Sequence, residues 1–116
     1  PRLFVGSDKI CRDFVYVKDI VNANLAALEA KCGVYNVGSF EARSFTDIVD
    51  ILQKELKTKF EYEFIPNPFV KAYQFHTQAG KNDEKCFSYA PKFSLESGIK
   101  SYVPEIKRIF EKEVNA

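Results

Sequence analysis

At 116 residues the chain has room for one small domain or a portion of a larger one, and 46% hydrophobic residues exclude an intrinsically disordered polypeptide. Seventeen basic against sixteen acidic side chains leave a formal charge of +1, so there is no electrostatic case for a nucleic-acid partner. No apolar run reaches membrane-spanning length, and Cys11, Cys32 and Cys86, widely spaced and without a Cys-x-x-Cys pair, support neither a disulfide framework nor a metal site. They read as buried or incidental thiols in a reducing cytoplasm.

In chain order, residues 1–7 read as a short strand ending in a turn at Gly6-Ser7-Asp8. The β-branched and aromatic run Asp13-Phe14-Val15-Tyr16-Val17 reads as a second strand. Val17, Ile20, Val21, Leu25 and Leu28 then recur at helical spacing. Asp19 sits where a helix dipole favours an acid, and Gly33 ends that helix. Val34-Tyr35-Asn36-Val37 reads as a further strand closed by Gly38. Strand, helix and strand in this order predict a parallel βαβ crossover.

Ser44 and Asp47 have the spacing of a capping box, opening a helix striped by Phe45, Ile48, Val49, Leu52 and Leu56. Phe60 to Ile65 alternates with period two, as a half-buried strand does. Pro66 and Pro68 bracket a loop leading into Tyr73–Gln78, and residues 80–92 are polar without a clear pattern. Ser94 caps a helix carrying Leu95, Ile99, Tyr102 and Val103. Pro104 is expected to close it and to open a last helix striped by Ile106, Ile109, Phe110 and Val114. There is no internal repeat and no low-complexity linker.

A catalytic centre is hard to find. The sequence has no glycine-rich dinucleotide turn, no P-loop and no Gly-x-Ser-x-Gly elbow. The single histidine, His76, has no neighbour that makes it a base, and pairs such as Glu61 and Glu63 read as solvated surface. The segment from Leu3 to Asp19 differs. Arg12 stands immediately before the aromatic run, and its planar fork of donors suits a diphosphate. Gly6 allows a close backbone approach to a ligand. On residue type alone a surface charge is the better reading of Arg12.

Arg12-Asp13-Phe14-Val15-Tyr16-Val17-x-Asp19 with an apolar helix behind it, then Tyr35-Asn36-Val37-Gly38, then Ser44-Phe45-x-x-x-Val49, resembles the extended short-chain dehydrogenase/reductases. Gly6-Ser7-Asp8 ahead of Arg12, together with Tyr73-Gln74-x-x-Thr77-Gln78-Ala79, is similar to the ADP-glyceromanno-heptose 6-epimerases within that family. The resemblance runs from about Leu3 to Tyr102 and departs at Gly80 to Lys85.

It implies an α/β fold, the C-terminal part of such an enzyme. Residues 1–40 would be a sheet-edge βαβ piece of the Rossmann-like sheet with a substrate loop, and residues 41–116 the substrate-binding α/β region. It implies that Phe4, Val5, Gly6 and Ser7 form the substrate loop, that Arg12 grips the nucleotide diphosphate, and that Tyr73 contacts substrate. Read for structure alone, Phe4 fits core packing, Gly6 a turn and Tyr73 a cavity wall.

By the same resemblance the whole enzyme is an isomerase. It carries NADP, acts on ADP-heptose for the lipopolysaccharide inner core, and is a cytoplasmic homo-oligomer. The catalytic tyrosine of a Tyr-x-x-x-Lys pair and the glycine-rich cofactor turn belong to an N-terminal dinucleotide-binding half. None of Tyr16, Tyr35, Tyr62, Tyr73, Tyr89 and Tyr102 has lysine at the fourth following position, so no catalytic residue is expected here and the chain alone should be inactive. Another nucleotide-sugar epimerase or dehydratase, or a non-catalytic binding or assembly module, is the alternative.

Overall fold

The computed structural model describes residues 1–116. Seven elements follow in order: β1 (Arg2–Phe4), β2 (Cys11–Asp13), α1 (Val17–Ala27), β3 (Ala42–Ser44), α2 (Phe45–Leu56), β4 (Glu63–Ile65) and α3 (Leu95–Val114). They form two small sheets. β1 pairs in parallel with β4, Leu3 opposite Phe64, while β2 pairs antiparallel with β3, Arg12 opposite Arg43. The fold is α/β. No helix is long and apolar enough to cross a membrane.

The capping box at α2 forms as its spacing predicts. The Ser44 hydroxyl accepts from the Asp47 amide at 3.0 Å, and the Asp47 carboxylate accepts from the Ser44 amide at 3.1 Å. Ser94 likewise caps α3 by accepting from the amide of Ser97 at 3.1 Å. The two helices pack on each other, and Arg43 bridges their N-terminal ends through Asp47 at 3.1 Å and Glu96 at 2.6 Å.

Several elements differ from the sequence reading. The second strand lies at Cys11–Asp13 rather than at 13–17. Phe14 and Tyr16 instead leave the sheet, their rings meeting Phe45 at 5.5 Å and Phe93 at 4.7 Å. Residues 34–37 join no ladder. Asn36 bonds instead with side-chain and loop partners: its amide donates to Asn82 at 2.8 Å, its carbonyl accepts from Asn82 at 2.7 Å, and its side chain donates to Gly80. The parallel pair therefore joins β1 to β4 across the chain, and no local crossover ladder forms within residues 1–40.

Pro104 lies inside α3, which continues through it. Proline there lacks one helical donor and its ring crowds the carbonyl four residues back, yet the helix runs on past it, with the neighbouring Val103 buried. Residues 80–92 are more ordered in purpose than their polarity suggests, because Phe87 is buried and stacks on Tyr35 and Tyr89.

The core is small. Nine of 116 residues are buried, and the radius of gyration of 17.0 Å exceeds the roughly 13 Å of a close-packed globule of this length. Polar clasps do much of the joining. Asp19, fully buried at the first turn of α1, accepts from the amides of Lys92 at 2.9 Å and Phe93 at 3.1 Å. Its place in the sequence suggested dipole stabilisation; the fold uses it to tie α1 to the segment before α3.

Candidate functional site

The two motifs that stand apart in the sequence are laced together. Along β2, the Cys11 amide donates to the carbonyl of Phe75 at 2.8 Å, and the Thr77 amide donates back to Cys11 at 3.1 Å. One residue on, Arg12 donates from Nη2 to the carbonyl of Gln74 at 2.5 Å and from Nη1 to that of Cys11 at 2.8 Å. Asp13 then accepts from the amides of Ser39, Phe40 and Ala79 and from the Ser39 hydroxyl, at 2.6 to 3.1 Å. His76 takes part through its backbone, in a parallel bridge with Cys11, and its side chain is exposed. Gln78 secures the same corner by donating to the carbonyl of Phe40 at 2.7 Å.

Partial burial opposes the charge on Asp13, yet its bonds to Ser39, Ala79 and Phe40 outweigh that and hold its carboxyl below the ordinary value of 3.8. Gly38 makes the clasp sterically feasible. A Cβ there would lie 2.5 Å from Asp13 Oδ2 and 2.8 Å from the Ala79 methyl. The sequence did not mark Asp13 as a hub, because its partners come from residues 39, 40 and 79.

Arg12 is unusual among the arginines. The chain has four arginines; Arg2 pairs with Glu63, Arg43 with Glu41, Asp47 and Glu96, and Arg108 with Glu105. Arg12 pairs with no carboxylate. It is held by two carbonyls and by two aromatic rings, its guanidinium carbon 5.4 Å from the centroid of Tyr73 and 6.0 Å from that of Phe45. A positioned guanidinium with unspent donors and uncompensated charge is suited to an anion with several oxygens.

Beside it lies a cavity of about 350 Å³ whose walls include Phe4, Ser7, Phe45 and Tyr73. The turn after β1 shapes one wall. Gly6 adopts φ +86°, the left-handed region that glycine tolerates, and the buried Ser7 hydroxyl folds back to donate to the carbonyl of Phe4 at 2.6 Å. Phe4 meets Tyr73 edge-on at 5.9 Å.

The structure sets Phe4, Ser7 and Tyr73 around one cavity with Phe45, while Arg12 is not part of its lining and meets it only through the rings of Phe45 and Tyr73; Gly6 forms the turn beside it. Val5 follows β1 with its amide bonded to Ile65 and its side chain exposed. Phe45 also stands at this site; the sequence showed it only as part of an apolar stripe. The larger groove, about 400 Å³ where residues 14–17 meet α2 and α3, is lined chiefly by hydrophobic side chains and offers no charged group.

The model of the NAD dependent epimerase/dehydratase family matches residues 1–38. Among solved structures, ADP-L-glycero-D-manno-heptose-6-epimerase of Helicobacter pylori is similar over 92% of this chain at 42% identity, with a TM-score of 0.79. UDP-glucose 4-epimerase of Thermotoga maritima, solved with UDP-glucose, is similar over 94% at 27% identity and a TM-score of 0.82. UDP-glucuronic acid 4-epimerase of Bacillus cereus, solved with NAD, is similar over 95% at 27% identity and a TM-score of 0.69. The chain spans about a third of each of these proteins, 33%, 35% and 34% respectively. With the two laced motifs, these likenesses place it in a family: the chain belongs to the extended short-chain dehydrogenase/reductases of the epimerase type and carries one portion of their α/β fold.

Proposed function

We propose that this chain is the C-terminal, substrate-binding portion of an NADP-dependent ADP-glyceromanno-heptose 6-epimerase that supplies heptose precursors for the lipopolysaccharide inner core. One observation carries the reading: Arg12, alone among the arginines, has no carboxylate partner and is fixed beside a cavity by two carbonyls and two rings. Its role is to hold the diphosphate of the nucleotide sugar. Phe4, Val5, Gly6 and Ser7 shape the substrate loop, and Tyr73 offers a ring and a hydroxyl to a ligand with apolar and polar faces. The higher identity to the heptose epimerase favours ADP-heptose as the substrate.

The residues present do not fit a nicotinamide dinucleotide. The one glycine in a left-handed turn, Gly6, leads into β2 and not into a helix N-terminus, so the strand–turn–helix unit that cradles a pyrophosphate is not formed here. In this reading hydride chemistry and the catalytic tyrosine come from the dinucleotide-binding half of a cytoplasmic homo-oligomer. This chain recognises and orients substrate.

A second reading, a nucleotide-sugar 4-epimerase, draws on the TM-score of 0.82 to UDP-glucose 4-epimerase. The test separates them. A complete enzyme containing this segment is incubated with ADP-heptose or with UDP-glucose, and sugar configuration is followed by NMR. Inversion at C6 of the heptose is expected; inversion at C4 of glucose with no action on heptose supports the second reading and overturns the first.

A further inference from the structure

We propose that Phe45 is a positioning residue for Arg12, fixing the guanidinium plane from the opposite element so that its free donors meet a phosphate. The inference deepens the reading of Arg12 above and rests on it. Arg12 lies on β2, and its two carbonyl partners, Cys11 and Gln74, lie on β2 and the adjoining segment. Phe45 is the contact that comes from α2, where it is the first residue of the helix.

That place is itself firmly set. The Phe45 amide donates to the carbonyl of the buried Ile10 at 3.3 Å, and its ring meets Phe14 edge-on at 5.5 Å. The residue before it is the helix cap, locked by the reciprocal Ser44–Asp47 bonds. Phe45 and Tyr73 line the same cavity, so the two rings that touch the guanidinium also face the space where a ligand would sit. An arginine side chain has several rotatable bonds, and freezing them before binding removes an entropic cost from the complex. The capping box, the ring and the cation form one line of support from helix to ligand.

The expectation is specific for phosphate. Calorimetric titration of a complete enzyme carrying this segment would use ADP and, separately, adenosine, on the wild type, Phe45→Leu, Phe45→Tyr and Arg12→Ala. Phe45→Leu keeps apolar bulk but loses the π face. It should weaken ADP about threefold to tenfold and leave adenosine unchanged, while Phe45→Tyr retains ADP affinity. Should Phe45→Leu unfold, as judged by its melting temperature, Phe45→Met takes its place with the same expectation. Equal loss of ADP and adenosine, or no loss of ADP in Phe45→Leu while Arg12→Ala weakens it, overturns the positioning role and leaves Arg12 standing. Unchanged ADP affinity in Arg12→Ala overturns both.

Discussion

Helices α1 and α2 are nearly equal in length and both amphipathic, yet they are held by opposite means. α2 turns its apolar stripe toward α3 and starts from a full capping box. α1 has no side-chain cap and buries Asp19 and Ala23, while Val17, Val21, Leu25 and Leu28 are 53 to 79% exposed. Within this chain α1 is therefore fastened by hydrogen bonds to a buried carboxylate, while α2, with no residue fully buried, rests against α3 from a capped start. Hydrophobic periodicity announces a helix in both cases, but says nothing of which side meets the rest of the fold.

The largest consequence concerns Asp19. Asp19→Ala would leave the amides of Lys92 and Phe93 without acceptors, and a loss of about 3 kcal/mol in unfolding free energy is expected by urea titration. A loss under ~0.5 kcal/mol would mean that α1 is held some other way. Next in size is Gly38→Ala, expected to cost about 2 kcal/mol because the new methyl meets Asp13 and Ala79 at distances that neither can easily relieve.

Asp13 should show itself in the acid limb. Because its folded pKa lies below the ordinary 3.8, its stabilisation is present above that value and is lost as pH falls through the lower, folded pKa. Asp13→Asn should lose about 1.5 kcal/mol at pH 7 and flatten the dependence on the acid side of the ordinary carboxylate range, read from melting temperatures across falling pH. An unchanged acid limb would show that the clasp at residues 39, 40 and 79 does not need the charge.

The smallest effect on stability is expected at the outer face of α1. Leu25, 61% exposed, should tolerate Leu25→Glu within about 0.5 kcal/mol. The same change should reduce self-association of the isolated chain in light scattering, since a contiguous exposed apolar stripe favours aggregation. A wild-type chain that is monomeric throughout would contradict that assignment.

Local signals were well read and distant ones were not. The Ser44–Asp47 cap was legible because both partners lie within one turn. Arg12, Gly6 and Tyr73 stood out through motifs; Tyr73 lines one cavity with Phe4 and Ser7, and Arg12 packs against the Tyr73 ring without lining that cavity itself. What stayed hidden depended on long-range pairing. The β1–β4 ladder joins residues 2 to 4 with residues 63 to 65, and the true strand at 11–13 is fixed by residues 42–44 and 75–77. Residues 34–37 carry strand-forming side chains, yet the backbone of Asn36 among them is satisfied by Asn82, which no local pattern foretells. Phe45 read as core until its ring was found against Arg12.

Arg12, held by two carbonyls and two rings, is proposed to bind the anion. Calorimetric binding of ADP-sugar to a complete enzyme carrying this segment, as wild type, Arg12→Ala and Arg12→Lys, tests it most directly. Arg12→Ala should raise the dissociation constant about tenfold or more at unchanged melting temperature, with Arg12→Lys recovering only part because it supplies charge without the fork. Full affinity in a folded Arg12→Ala variant would contradict it.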